Sequence, residues 1–380
     1  MTGQRTAVRS VLVVGGGLAG LSLAISLGRA GVAVEVIDVT DQVDRVGIGL
    51  IGRVMFALEE LGVLDACRAS GNALPGSSSI FTYMFDAKGT PLIVPPVVAT
   101  QDARLPGAIL MYQPELVRIL REEATRHGAT LRTGVTVQTM RPTAGGVEVT
   151  FTDERSEGYD LVVGADGVRS RVRSLMYGHE VRPNYTGRIS LRWVVTDAPS
   201  GPAGFYCAKG TMVAISRLPG RLAYVATGYS MPLSQIGQPE AVRLVREVLD
   251  KFTAPYIVDL RQRLTGDQEI TVRPYEWLLA EPPWYRGRIV IIGDAAHATT
   301  AHLTSIGGMA FEDAVVLGQE LTRPTTVADA LAAFQRRRTD RVRLVVDTSV
   351  ELLRMQLEDA DVRATAGVRN HALARLASPY

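Results

Sequence analysis

From Ser10 onward, apolar and polar positions alternate in blocks of two different periods. Val11-Leu-Val-Val14 is a short apolar run, residues 18–30 carry apolar side chains at helical spacing, and Ala33 to Asp38 alternates strictly. This predicts a strand at 10–14, a helix at 18–30 and a strand at 33–38, a βαβ opening that builds a parallel sheet. Helical periodicity returns at 52–63, 114–127, 307–321 and 327–356, while 129–163 reads as several short strands. From about 180 to 275 the character changes. Segments such as Arg188–Thr196, Gly204–Cys207 and Arg221–Gly228 are separated by clusters like Pro199-Ser-Gly-Pro-Ala-Gly204, the pattern of an inserted antiparallel sheet. The apolar run Arg288–Ile292 returns the chain to the first unit.

A chain of 380 residues exceeds the usual size of one hydrophobic core, so two units are expected, with room to bury a large ligand. The expected division places 1–78, 100–178 and 279–380 in a nucleotide-binding unit with C-terminal helices, and 79–99 with 179–278 in a β-sheet substrate unit. The 41 basic and 39 acidic side chains leave a net +2, too weak a field to predict a nucleic acid or an anionic membrane as partner. Two distant cysteines, Cys67 and Cys207, support neither a disulfide framework nor a zinc site, and fit a reducing compartment. The apolar run at Val11 is too short for a signal peptide or membrane span, so a cytoplasmic protein is expected.

Three stretches carry chemistry. Gly15-Gly-Gly-Leu-Ala-Gly20 fits G-x-G-x-x-G with a strand before it, a helix after it and Asp38 closing the next strand. Glycines let a pyrophosphate approach the helix N-terminus, and an acid at that distance takes ribose hydroxyls, favouring NAD or FAD over NADP. Gly47-Ile-Gly-Leu-Ile-Gly52 matches the same pattern, but polar residues precede it and Ser70 falls where the acid should be, so it reads as a glycine loop without its own nucleotide. Asp160–Arg171 runs a short strand into Gly164, Asp166 and Gly167 and then a basic segment. Gly293–Ala314, GDAAHATTAHLTSIGGMAFEDA, is rich in residues too small to fill a core.

Together, Gly15–Asp38, Asp160–Arg173 and Gly287–Ala314 resemble the three FAD-contacting motifs of the flavin-dependent aromatic hydroxylases, the class that includes p-hydroxybenzoate and salicylate hydroxylases. Arg273-Pro-Tyr275 and Pro283–Arg288 are similar to that family as well. The resemblance implies an α/β fold, a Rossmann-like FAD-binding domain with an inserted antiparallel β-sheet substrate domain. It implies cofactor contacts from Gly15, Gly17, Leu18, Ala19, Gly20, Asp38, Gly49, Gln113, Asp166, Gly293, Asp294, Gly307, Gly308 and Met309. In this reading Asp294 accepts from the ribityl hydroxyls, Asp166 lies near the pyrophosphate, and the helix opening at Gly307-Gly308-Met309 turns its N–H groups to the carbonyl edge of the flavin.

The activity implied is an NADH- or NADPH-consuming monooxygenase that reduces FAD, takes up O₂ as a C4a-hydroperoxide and hydroxylates a small aromatic or heteroaromatic ring. Alternatives on the same scaffold are an FAD oxidase or reductase without oxygen insertion, and a non-catalytic flavin module using the helix with Arg336-Arg-Arg338 as a partner surface. No catalytic side chain is assigned, because the chemistry is flavin-centred. His302, Arg192, Tyr206, Tyr224 and Tyr229 are pocket candidates, and contacts are expected from the inserted sheet and the 301–306 loop. His297 reads as a structural or cofactor-packing residue, and no metal site is expected. A monomer or homodimer is expected. The sequence departs from the family at Ala301, where many relatives have proline, at Gln113, where many have arginine, and at Val39, where a basic residue is common.

Overall fold

The computed structural model describes residues 6–76, 80–94, 102, 104–266, 268–303 and 306–380. A six-stranded sheet forms its base. Ser10–Val14 lies at the centre, parallel to Ala33–Asp38 on one side and Leu161–Gly164 on the other; Thr130–Thr133 and Ile289–Ile291 extend it in parallel, and Tyr285–Arg286 adds an antiparallel edge. The central strands are buried on both faces, and the three-stranded antiparallel sheet Val137–Pro142, Val147–Phe151 and Ser156–Tyr159 shares their core with the helices. Leu18–Arg29, Gln113–Arg126 and Ile306–Leu321 share one core with the sheet, in which Leu12, Val13, Leu21, Leu23, Leu120 and Phe311 are fully buried.

The parallel order puts the C-terminal ends of strands 10–14, 161–164 and 289–291 side by side, at the edge where α/β sheets bind ligands. All three motifs follow those strand ends.

A second, seven-stranded sheet is built mainly from Asn184–Val195, Gly204–Ala208, Thr211–Leu218, Leu222–Ser230 and Ile270–Leu279, all antiparallel to their neighbours within that set. Strict alternation splits its faces. Ile189, Leu191, Trp193, Tyr206, Val213, Ile215, Ala223 and Val225 form a separate core with helices Gln238–Leu249 and Pro255–Gln262. These two helices are absent from the β-rich reading of 180–275. Their apolar stripe, Ala241, Val242, Leu244, Val245, Val248 and Leu249 on the first of them, is visible as i, i+3, i+4 spacing in the sequence. The opposite sheet face turns towards the motif loops.

The second glycine match is a strand, not a loop: Gly47–Ile51 pairs antiparallel with Ala108–Tyr112. Its first glycine serves packing instead, because a Cβ on Gly47 would lie 2.6 Å from the Tyr224 ring. The long helix Val327–Leu357 is followed by a further one, Val362–Leu376.

Candidate active site

Backbone contacts only glycine permits hold the three motifs against one another. Gly15 has φ +115°, and a Cβ there would lie 2.2 Å from the carbonyl oxygen of Ala165 in the second motif. Gly293 has φ +57°, and its Cβ would meet the Cβ of Ala19 at 3.0 Å. A side chain at either position would separate the turns. Gly17, by contrast, faces open space and is the exposed residue that opens helix Leu18–Arg29, with no side-chain cap and no acid in the first turn. That helix end offers free N–H groups to an anion.

Asp38 closes its strand beside this turn, where its Oδ2 accepts from Gly16 N–H at 2.7 Å and its Oδ1 from Thr40 N–H at 3.1 Å. The carboxylate keeps further lone pairs for an incoming donor. Gln113 opens helix Gln113–Arg126, and its N–H donates to Val46 O at 2.9 Å, which brings it beside the strand that holds Gly49. Val39 is 64% exposed and lies outside the core.

Asp166 is engaged within its own motif. Its carboxylate accepts from the hydroxyl of Ser170 and from the N–H groups of Arg171, at 2.7 Å, and Val172, at 3.0 Å. It thereby fixes the start of helix Arg171–Tyr177, and these bonds occupy the side chain that the sequence places near a pyrophosphate. Gly167, with φ +79° and no atom near its Cβ direction, is the open point of that turn. Arg169 pairs with Glu276 at 2.9 Å and ties the second motif to the second sheet.

Asp294 is different. Among the described residues its carboxylate has no hydrogen-bond partner, although it is recessed between the sheets. Burial raises its pKa above the ordinary carboxylate value and Asp313 adds to the rise, while His297 and Arg192 act against it. An unpartnered recessed carboxylate suits a ligand that brings several hydroxyl donors. Gly307 and Gly308 begin helix Ile306–Leu321; a Cβ on Gly307 would reach Ile48 at 3.0 Å and Leu18 at 3.7 Å, so this helix end borders the first motif. Met309 is buried, and its Sδ accepts from Arg338 at 3.4 Å.

A buried ionic network that the motifs do not announce supports this turn. Asp313 is fully buried and accepts from Gly293 N–H at 2.8 Å, from His297 Nε2 at 2.6 Å and from Arg338 Nε at 2.7 Å. Arg338 also donates to Glu312 at 2.7 Å, and Glu312 binds Arg341. Burial alone would raise the Asp313 carboxyl; the charges of His297 and Arg338, with the hydrogen bonds from His297 and Gly293, outweigh it and hold the pKa at about 2. His297 packs on Trp284, with ring centroids 5.4 Å apart, and holds the network in place. A signal for it exists in the sequence: Arg338 lies on the apolar stripe with Leu331, Phe334, Val342 and Val345, so it is a core residue and not part of a solvated partner surface.

The pocket candidates separate by sheet face. Tyr206 is 1% exposed, donates to Pro202 O and stacks on Phe85 within the second core, and Tyr229 donates to Glu247 on helix Gln238–Leu249. Both point away from the motifs: Tyr206 lies in the second core, and Tyr229 holds an odd position of strand Leu222–Ser230, on the face of Ala223 and Val225. Arg192 and Tyr224 lie on the opposite face. Tyr224 packs on Gly47, Arg192 Nε donates to Ser190 Oγ at 2.9 Å, and Arg192 lies within electrostatic reach of both Tyr224 and Asp294. His302 lies beyond them against Tyr275, with ring centroids 5.6 Å apart. Its two nitrogens are taken by Thr300 at 3.0 Å and Gln356 at 2.9 Å, so it shapes the wall and has no free lone pair for a substrate proton. Ala301 is exposed beside it; residues 304–305 of the 301–306 loop lie outside the described residues.

Comparison with known proteins bears on this cleft as a whole. The family model described as FAD binding domain matches residues 9–349. The aurachin C monooxygenase/isomerase of Stigmatella aurantiaca is 30% identical over 341 residues, spanning 87% of this chain and 85% of that protein. The FAD-dependent urate hydroxylase of Klebsiella oxytoca is 27% identical over 354 residues, 88% of this chain and 87% of its own length. Among solved structures, Klebsiella pneumoniae HpxO complexed with FAD and uric acid aligns with a TM-score of 0.78 at 22% identity, over 98% of this chain and 99% of that one. A salicylate hydroxylase substrate complex aligns with a TM-score of 0.76, also at 22% identity and over the same shares. No described helix is long and apolar enough to cross a membrane.

Proposed function

This chain belongs to the FAD-binding-domain family of FAD-dependent monooxygenases and hydroxylases, and from that premise we propose that it uses NADH or NADPH and O₂ to hydroxylate a small aromatic or heteroaromatic compound. The observation that carries this reading is the recessed, partnerless carboxylate of Asp294, lying between the cofactor turns and the Arg192–Tyr224 face of the second sheet. FAD, when bound, supplies the redox and oxygen chemistry. The chain supplies placement. The N–H groups at Gly17, Leu18 and Ala19 would hold the pyrophosphate, Asp166 would shape the turn beside it, Asp38 would take the adenosine ribose and Asp294 the ribityl hydroxyls, and the amides at Gly307–Met309 would stabilise negative charge on the ring system. Gly49 and Gln113 would border the cofactor as well, and Gly20 and Gly293 permit the close approaches to Gly15 and Ala19 that keep the turns together.

In this reading the substrate unit comprises 79–99 and 179–278, and its inner face, with Arg192 and Tyr224, closes over the cofactor unit of 1–78, 100–178 and 279–380. Arg192 orients a polar substituent of the ring, and the surrounding wall excludes water from the reacting atoms. The test is a screen of small phenols, N-heteroaromatics and larger fused rings for stimulated NADH or NADPH consumption under ¹⁸O₂. Label from O₂ in the product is expected. Substrate-stimulated consumption that yields only peroxide and unlabelled product would assign the chain to oxidase or reductase chemistry instead.

A further inference from the structure

Two buried cations that pair with no carboxylate among the described residues lie at the inner face of the second sheet. Arg188, 3% exposed, donates to Gly210 O at 3.1 Å and to Gly228 O at 2.8 Å, while its Nε has no partner. Arg369, 7% exposed, comes from the C-terminal helix Val362–Leu376 and lies beyond the residues that match the family. Its guanidinium stacks on the Phe81 ring at 4.5 Å, makes no hydrogen bond among the described residues, and its Nε is sealed from solvent. Neither guanidinium forms an ion pair with a carboxylate among the described residues: Arg188 is met by two backbone carbonyls and Arg369 by an aromatic face.

Both cations converge on one place. Cys207 and Gly210 belong to the same hairpin end, between strands Gly204–Ala208 and Thr211–Leu218, with Arg369 beside the first and Arg188 on the second. Asp359, just ahead of the C-terminal helix, accepts from Gly210 N–H at 3.3 Å and so anchors that helix against the hairpin. Arg188 and Arg369 both act on His302, at the wall of the proposed substrate cleft. The buried Arg338 beside the cofactor turns is supplied differently, being met by two carboxylates. Burying a guanidinium without a counter-charge is strongly unfavourable, and the arrangement becomes favourable once an anion supplies the missing acceptors.

We propose that Arg369, with Arg188, forms an anion subsite that selects an aromatic substrate bearing a negatively charged oxygen substituent, and that the C-terminal helix thereby sets specificity. The inference rests on the aromatic-hydroxylase reading and deepens it. Phe81, stacked on Phe205 at 5.2 Å, holds the plane on which the Arg369 guanidinium lies and extends the aromatic wall towards the ring of the substrate. Arg192, nearer Asp294, is left for the polar group on the reacting side.

The test is calorimetric titration of the FAD-loaded protein with charged and neutral probe pairs: benzoate and benzamide, 1-naphthoate and 1-naphthamide, 4-nitrophenolate and 4-nitroanisole. At least one pair is expected to show a tenfold or greater preference for the anion, with the first two pairs reporting a carboxylate and the third an ionised hydroxyl. Arg369→Gln should abolish the preference and Arg369→Lys should recover part of it, with the neutral partner's affinity changed less than threefold. Equal affinity within every pair, or no binding by any of them, overturns the proposal. So does an anion preference that survives Arg369→Gln. Wild-type protein alone decides the first point if a variant does not fold. Flavin absorbance recorded on the same samples keeps the two readings apart: protein without flavin refutes the hydroxylase, whereas flavin-loaded protein without anion preference refutes only the subsite.

Discussion

Replacing Asp313 by alanine removes the acceptor of three hydrogen bonds from a site with no solvent access. Arg338 then keeps Glu312, which it shares with Arg341, and the weak acceptor Met309 Sδ, while Gly293 N–H and His297 Nε2 lose their partner. Breaking a buried ion pair in this way costs about 3–5 kcal/mol. With an unfolding entropy near 2.1 cal/mol/K per residue, a chain of 380 residues loses about 4–6 °C of Tm for that cost. The effect has a second part, because Gly293 N–H sets the direction of the turn that presents Asp294. Thermal unfolding followed by flavin fluorescence reads both, and the variant should release FAD at a lower temperature and retain less of it after dialysis. The pH dependence has a definite sign. The Asp313 pKa is depressed from 3.8 to about 2, so its stabilisation is present above 3.8 and disappears as pH falls through about 2. The gap between wild type and variant should therefore be flat from about pH 5 to 8 and close only in strong acid. A Tm within about 1 °C of wild type, with unchanged flavin retention, would refute the role given to the network.

Asp294→Ala removes an acceptor that binds no donor among the described residues, so Tm of the flavin-free chain should hold within about 1 °C while FAD affinity falls roughly tenfold or more, measured by fluorescence quenching. Gly293→Ala forces a side chain into φ +57° and against Ala19, and should destabilise by about 1–3 kcal/mol in urea unfolding with loss of flavin. His302, lowered from 6.5 to about 4 by burial and by the charges of Arg188 and Arg369 against the Gln356 hydrogen bond, binds a proton more readily unfolded than folded. Its contribution to stability should be complete above pH 6.5 and fall by up to about 3 kcal/mol as pH drops from 6.5 to 4, a slope that His302→Gln should remove from denaturant midpoints. Burial pushes the Cys67 thiol up to about 12 and the Cys207 thiol to about 11, so neither should react with a disulfide reagent at about pH 8 until the chain is unfolded.

The base of the fold is legible because its signals are local. The strand 10–14, the glycine turn and the strand ending at Asp38 each follow from period and composition within a few residues. The convergence of the three motifs follows only from resemblance, since the parallel strand order that brings residues 14, 164 and 291 together is not written in any one segment. The faces of Tyr206 and Tyr229 are hidden for a related reason. Alternation says that neighbours point oppositely, but which set meets the helices depends on where Gln238–Leu249 packs, and that helix lies in a region whose composition reads as β-rich. The engagement of Asp166 is equally hidden, because an acid after an apolar strand caps the next helix as readily as it faces a ligand, and only the bonds from Ser170, Arg171 and Val172 reveal the first role. Asp313 and Arg338 lie 25 residues apart in sequence and on separate helices, so their pairing is purely tertiary.

The central claim is that one FAD lies along the three joined turns with its ribityl chain on Asp294. A crystal structure of the chain with FAD tests it directly: an Asp294 oxygen should lie within hydrogen-bond distance of a ribityl hydroxyl, with the ring system against Gly307–Met309. Density for the flavin elsewhere, or Asp294 turned onto protein donors with the cleft filled by side chains, would contradict it.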